Sequence, residues 1–143
     1  MLIGEYQHTI DEKGRLTVPA KLRDALGDRF ILTKGLDGCL FGYPVEEWKQ
    51  LEAKLRELPL TKADVRAFVR LLLAGASECE LDRQGRFVLP NNLRAHADID
   101  KDVIITGVST RIEIWSRQRW EEYRDKAEKN FEGVAEGIEG LGF

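Results

Sequence analysis

Asp11-Glu12-Lys13-Gly14-Arg15-Leu16-Thr17-Val18-Pro19-Ala20-Lys21-Leu22-Arg23 is echoed half a chain later by Asp82-Arg83-Gln84-Gly85-Arg86-Phe87-Val88-Leu89-Pro90-Asn91-Asn92-Leu93-Arg94. Asp, Gly, Arg, Pro, Leu and Arg recur at one constant offset. With one residue inserted, the agreement runs on, so that Gly35 lies over Gly107, Leu40 over Ile112 and Trp48 over Trp120. Self-similarity of this kind means that one small structural unit is used twice. Each copy, roughly forty-five residues, has little core of its own, and the two are expected to pack as one pseudo-twofold unit.

The punctuation of a copy predicts its elements. Tyr6 to Ile10 and Leu16 to Val18 are short β-branched and aromatic segments around Asp-Glu-Lys-Gly, which reads as a hairpin whose glycine takes positive φ. Cys79 to Leu81 and Phe87 to Leu89 flank Asp-Arg-Gln-Gly in the same way. Pro19 and Pro90 suit the first position of a short helix, and Gly27 ends the first of these helices. Phe30 to Thr33 and Val103 to Thr106 are the next strands, with Cys39 to Tyr43 and Arg111 to Trp115 the last. The predicted class is α+β.

Between the copies, Val45, Trp48, Leu51, Leu55 and Leu58 recur at helical spacing until Pro59, and Thr61 is expected to cap a second helix carrying Val65, Phe68, Val69 and Leu72. Leu71 and Leu73 widen that stripe, which predicts burial in the core ahead of a subunit contact. Ser116 is expected to cap a last helix with Trp120, Tyr123 and Ala127 on one side, before a glycine-rich end from Gly133 to Phe143 expected to be mobile. The predicted organisation is a module at 5–48, a helical connector at 49–76, a second module at 77–120, and a C-terminal helix and tail at 121–143.

The repeated loop carries the chemistry. Its Asp, Asp11 or Asp82, can accept hydrogen bonds from backbone N–H groups ahead of it, and its Gly, Gly14 or Gly85, lets the chain curve. Arg15 or Arg86 is then held at the tip. A guanidinium on a stiff loop can bind a phosphate, or the O6 and N7 edge of guanine, with two parallel hydrogen bonds and little loss of side-chain freedom. Lys13 and Arg83 add charge at the tips, and Arg23 and Arg94 follow on the short helices. Four cations face two acids between residues 11 and 23, and three face one between 82 and 94, whereas Glu46-Glu47, Glu121-Glu122 and the stretch from Glu132 to Glu139 are acidic. The competing reading is that Asp11 with Arg15, and Asp82 with Arg86, are surface ion pairs worth less than about 1 kcal/mol. A turn alone, however, needs Asp and Gly and does not ask for Arg twice.

Other classes find less support. The net charge of −3 is an average that says little about where the cations lie. Cys39 and Cys79 form no CxxC pattern and read as free thiols; His8 and His96 have no metal-ligand spacing with them, so no metal and no cofactor is expected. There is no Walker loop and no GxSxG elbow, and a Mg²⁺ site from Asp11 and Asp82 would compete with the turns those carboxylates serve. The chain is read as not an enzyme. The start, Met1-Leu2-Ile3-Gly4-Glu5, lacks the basic and apolar regions of a signal peptide, which predicts a cytoplasmic protein.

The stretch from Gly4-Glu5-Tyr6-Gln7-His8-Thr9-Ile10 through Asp11 to Pro19, followed by Leu81 and Asp82 to Pro90, resembles the MraZ family of bacterial regulators, encoded at the head of the division and cell-wall gene cluster. Each module is similar to the AbrB-type swapped-hairpin DNA-binding domain. The resemblance implies a tandem AbrB-like fold, ring-shaped homo-oligomers, nucleoid association, and repression of the protein's own operon through binding of double-stranded DNA at promoter repeats. It also implies that Arg15 and Arg86 contact DNA, and that Arg23 and Arg94 hold the basic position after the proline.

Self-association follows from magnitude as well. Lys13, Arg15, Arg83 and Arg86, each neutralising one phosphate, give one chain about four contacts, a salt slope near four, and weak binding at physiological salt. Several chains on one scaffold meeting several repeats would bind tightly. The alternative is an assembly or antitoxin-like partner-binding protein on the same fold.

Overall fold

The computed structural model describes residues 1–143. Fourteen elements follow one another: β1 (Leu2–Thr9), β2 (Arg15–Thr17), α1 (Ala20–Leu26), β3 (Arg29–Lys34), β4 (Leu40–Pro44), α2 (Val45–Arg56), α3 (Ala63–Ala74), β5 (Ser77–Glu80), β6 (Arg86–Val88), α4 (Asn91–His96), β7 (Asp102–Ser109), β8 (Ile112–Ser116), α5 (Arg117–Lys129) and α6 (Phe131–Gly137). The class is α+β, with antiparallel sheet and six helices.

The strands are exchanged between halves. β1 pairs with β7 of the second half, and β5 pairs with β3 of the first, while β3 with β4 and β7 with β8 form ordinary hairpins. The six-stranded sheet runs β1-β7-β8-β4-β3-β5, and β2 pairs with β6 in a separate two-stranded ribbon. The hairpins expected of Tyr6–Ile10 with Leu16–Val18, and of Cys79–Leu81 with Phe87–Leu89, are therefore only turns; their arms ladder with the other half. The opposite copy supplies every partner: β1 matches β7 residue for residue, β2 matches β6, and β5 takes four residues of β3.

The register is symmetric. Phe41 lies opposite its equivalent Glu113 where β4 meets β8, and Leu16 lies opposite its equivalent Phe87 in the ribbon. A pseudo-twofold axis passes between both pairs. Because Tyr6 pairs with Ile105 and Ser77 with Leu32, Leu32 is the counterpart of Ile105 and Thr33 of Thr106. Two residues, rather than the single insertion expected, are thus added before β7, and one is withdrawn in the next turn.

One face of the large sheet, the ribbon, α1 and α4 enclose the core. Leu16, Val18, Leu22, Phe30 and Leu32 meet Phe87, Leu89, Leu93, Val103 and Ile105, with Phe30 edge-on to Phe87 at 5.1 Å. On the other face a smaller cluster joins Cys39, Ile104 and Trp115, with Trp120 of α5 edge-on to Trp115 at 5.4 Å.

Helix ends differ in places from the sequence reading. Pro19 and Pro90 sit one residue earlier than expected, as N-caps in extended conformation, since a residue that cannot donate also fits there. Lys62, not Thr61, precedes α3, with no side-chain cap. Ser116 does cap α5, its hydroxyl accepting from the Arg119 N–H at 3.2 Å. Gly133 falls inside α6 rather than in an irregular tail. Leu71 and Leu73, expected in the core, are exposed.

Candidate nucleic-acid interface

Two backbone N–H groups and one guanidinium nitrogen close each tip around its aspartate. The Asp11 carboxylate accepts from the N–H of Lys13 at 2.9 Å and of Arg15 at 2.8 Å through Oδ1, while its Oδ2 accepts from Arg15 Nε at 2.7 Å. Asp82 does the same with Gln84 and Arg86 at 2.9 Å each, and with Arg86 Nε at 2.9 Å. Gly14 and Gly85 both have φ of 77°, the left-handed conformation the tight curve needs. Both carboxylates lie below the ordinary carboxylate range, chiefly because the arginine's backbone N–H stabilises the charged form, with the guanidinium adding to it.

Each tip thus contains the expected Asp–Arg ion pair, at 2.7 Å in the first and 2.9 Å in the second. Nε is taken by the carboxylate, which fixes the plane of the guanidinium. The Nη1 and Nη2 edge of each arginine makes no hydrogen bond within the chain and remains a donor fork.

The ribbon sets the two forks side by side. Arg15 is paired with Val88 and Arg86 with Thr17, so these four share one face, while Leu16 and Phe87 between them turn into the core. The two arginine Cα atoms are separated by two residues along the ribbon and one strand across it, about 8 Å. Each tip is also tied to the opposite half: the Gly14 carbonyl accepts from the Leu89 N–H and the Gly85 carbonyl from the Val18 N–H, both at 2.9 Å.

This is the repeat of a known family. The family model for "MraZ protein", whose description adds the words "antitoxin-like", matches residues 1–71 and again residues 72–138. The chain belongs to the MraZ family. It is 62% identical over 141 residues, 99% of each chain, to the transcriptional regulator MraZ of Thermoanaerobacter pseudethanolicus. Proteins of the same name from Moorella thermoacetica and Desulforamulus reducens are 60% and 59% identical, over 95% of each chain and over 96% and 97% respectively.

The remaining candidates of this MraZ-family chain are placed unequally. Lys13 and Arg83 are exposed at the two tips. Arg23 donates from Nε to the Val18 carbonyl at 2.8 Å and lies across the other half's tip, where a Cβ on Gly85 would meet its Cζ at 2.2 Å. Its counterpart Arg94 is turned away, with Nε donating to the Ile99 carbonyl at 3.0 Å and Nη2 to the Asp100 carbonyl. The sequence treats the two as equals; the structure brings only Arg23 to the tips. His8 is half-buried, and burial followed by the charge of Arg23 pushes its pKa down.

Two residues on the interface face escaped the sequence reading. Val88 is 63% exposed between the arginines, and Thr17 lies beside Arg86. The alternation Arg86-Phe87-Val88, with Phe87 inward, was signal enough to place Val88 outward. Cys39 and Cys79 are buried free thiols, burial raising both, Cys79 to about 12. No helix is long and apolar enough to cross a membrane.

Proposed function

We propose that this chain is a DNA-binding transcriptional regulator that contacts double-stranded DNA through its two Asp-x-x-Gly-Arg tips and acts as a homo-oligomer on promoter repeats of its own operon. The observation that carries the reading is the shared outer face of Arg15 and Arg86, both half-buried, on one two-stranded ribbon. The major groove, about 12 Å wide, admits such a ribbon, and a guanidinium there can read guanine. Asp11 and Asp82 hold the forks in plane so that little side-chain entropy is lost on binding. Val88 offers an apolar contact to a thymine methyl, Lys13 and Arg83 reach phosphates, and Arg23 adds charge at the second tip.

The exchange of strands between halves supports assigning both modules to the AbrB-like swapped-hairpin class. The name of the relatives, transcriptional regulator MraZ, supports regulation, and repression of the division and cell-wall cluster is the form proposed. Such a protein works in the cytoplasm on the nucleoid. It needs no cofactor.

Fluorescence anisotropy on a duplex from the promoter upstream of its own gene tests the reading. Arg15→Ala and Arg86→Ala are each expected to weaken binding about tenfold or more and to lower the salt slope by about 1 per chain, with circular dichroism unchanged. Wild-type affinity in both variants would leave the antitoxin-like, partner-binding reading in its place.

A further inference from the structure

Each arginine of the ribbon has one neighbour directly across from it. Arg15 faces Val88, and Arg86 faces Thr17. The bonds from the Leu89 N–H to the Gly14 carbonyl and from the Val18 N–H to the Gly85 carbonyl bracket these two pairs. Both are therefore non-hydrogen-bonded positions of an antiparallel ladder, where facing Cα atoms are about 4.5 Å apart and side chains stand closest. The two guanidinium groups thus have unlike companions on the outer face, a valine beside Arg15 and a threonine beside Arg86.

Thr17 and Val88 are counterparts, each two residues beyond its arginine. They share one branched shape, with a methyl in Val88 where Thr17 has its hydroxyl. A strand at this place asks only for a β-branched residue, which either satisfies. Thr17 shows that a hydroxyl fits the outer face, yet Val88 leaves an apolar side chain 63% exposed there. The wiring of the two tips is the same, so Arg15 and Arg86 offer DNA the same fork. Glu12 against Arg83 and Lys13 against Gln84 also differ between the halves, but they lie out on the loops. Between the forks, the difference that remains is methyl against hydroxyl.

We infer that Val88 and Thr17 are specificity-determining residues that make the two halves of one chain read different bases. Val88 packs on the C5 methyl group of a thymine next to the guanine taken by Arg15, while Thr17 accepts several bases next to the guanine taken by Arg86. The inference rests on the DNA reading proposed above and names the bases that reading leaves open. In the major groove the C5 methyl marks thymine, and an apolar side chain contacts it. A threonine can place its own methyl there or turn its hydroxyl to the polar edge of another base. Facing Cβ atoms about 4.5–5.5 Å apart match base steps of about 3.4 Å, so companions on the ribbon meet the same or adjacent base pairs.

Uracil in place of thymine removes the methyl and leaves the hydrogen-bonding edge intact, which gives the test. Fluorescence anisotropy is read on the promoter duplex with its thymines replaced by uracil one position at a time, and with each base pair of the repeat varied. Wild type is expected to lose about fourfold in affinity at one thymine beside a guanine, the effect of one buried methyl. Val88→Thr should bind the thymine and uracil duplexes alike at that position. Thr17→Val should gain a preference for thymine at a second position, where wild type takes several bases to within about twofold. Both changes are isosteric and on the outer face, and circular dichroism and urea midpoints should match wild type. Uracil that costs wild type nothing at any position, or costs Val88→Thr as much as wild type, would overturn the assignment of Val88. A Thr17→Val variant that gains no preference would overturn that of Thr17. Binding of the unmodified duplex by the Arg15→Ala and Arg86→Ala variants is read beside these, so a failure of the DNA reading is seen separately.

Discussion

The two tips have the same internal wiring and different surroundings. Around Asp11 and around Asp82 the hydrogen bonds agree within 0.2 Å and the glycines share one φ. Outside that wiring the symmetry fails: Arg23 covers Gly85, while Gly14 has open space above it because Arg94 is bound to its own half's carbonyls. The internal wiring of the loop is therefore set by bonds between residues at most four apart. The environment of each loop is decided by which helix side chain reaches it.

The largest contrast should come from the glycines. Gly14→Ala is expected to cost about 1–2 kcal/mol, the strain of a left-handed alanine in open space. Gly85→Ala should cost about 3 kcal/mol or more, because its methyl also displaces Arg23 from the Val18 carbonyl. Urea denaturation decides it; equal losses would mean that Arg23 does not lie on the second tip. Next, Arg23→Ala and Arg94→Ala should each lose about 1.5 kcal/mol of stability, but only Arg23→Ala should also weaken DNA binding in anisotropy. Equal loss of affinity in both would put Arg94 at the DNA after all.

Asp11→Ala and Asp82→Ala should weaken DNA binding alike, by about fivefold each, since either carboxylate does the same positioning at its own tip. A difference of more than a few-fold would show that one tip dominates. The smallest effect concerns pH. His8 has Cys79 as its counterpart, so only the first half titrates here. With its folded pKa depressed below 6.5, His8 favours folding above the unfolded value and that contribution is lost as pH falls through the folded one. Stability should decline slightly below about pH 6.5 in wild type and less in His8→Gln, measured by thermal melts at a series of pH values.

The candidate site was legible in the residues to the extent that it is local. Asp, Gly and Arg within five positions specify a closed loop and the arginine at its end, because every bond that shapes it joins near neighbours. Arg94 could not be told from Arg23, since both follow a proline in a short helix and only the fold brings one of them to a tip. The exposure of Leu71 and Leu73 was hidden for a related reason: an apolar stripe marks a helix face and does not say how wide a strip of that face the neighbouring sheet covers.

Residue pattern by itself determined the duplication, the α+β class and the shape of the tips, all of which depend on local geometry and on apolar surface leaving water. Tertiary structure alone decided that β1 and β5 cross to the opposite half and that β2 joins β6, so that two arginines distant in the chain share one face. Strand alternation is the same whichever neighbour is chosen. The choice comes from burying Leu16 against Phe87 and Phe30 beside them, a contact between halves that no short stretch of sequence contains.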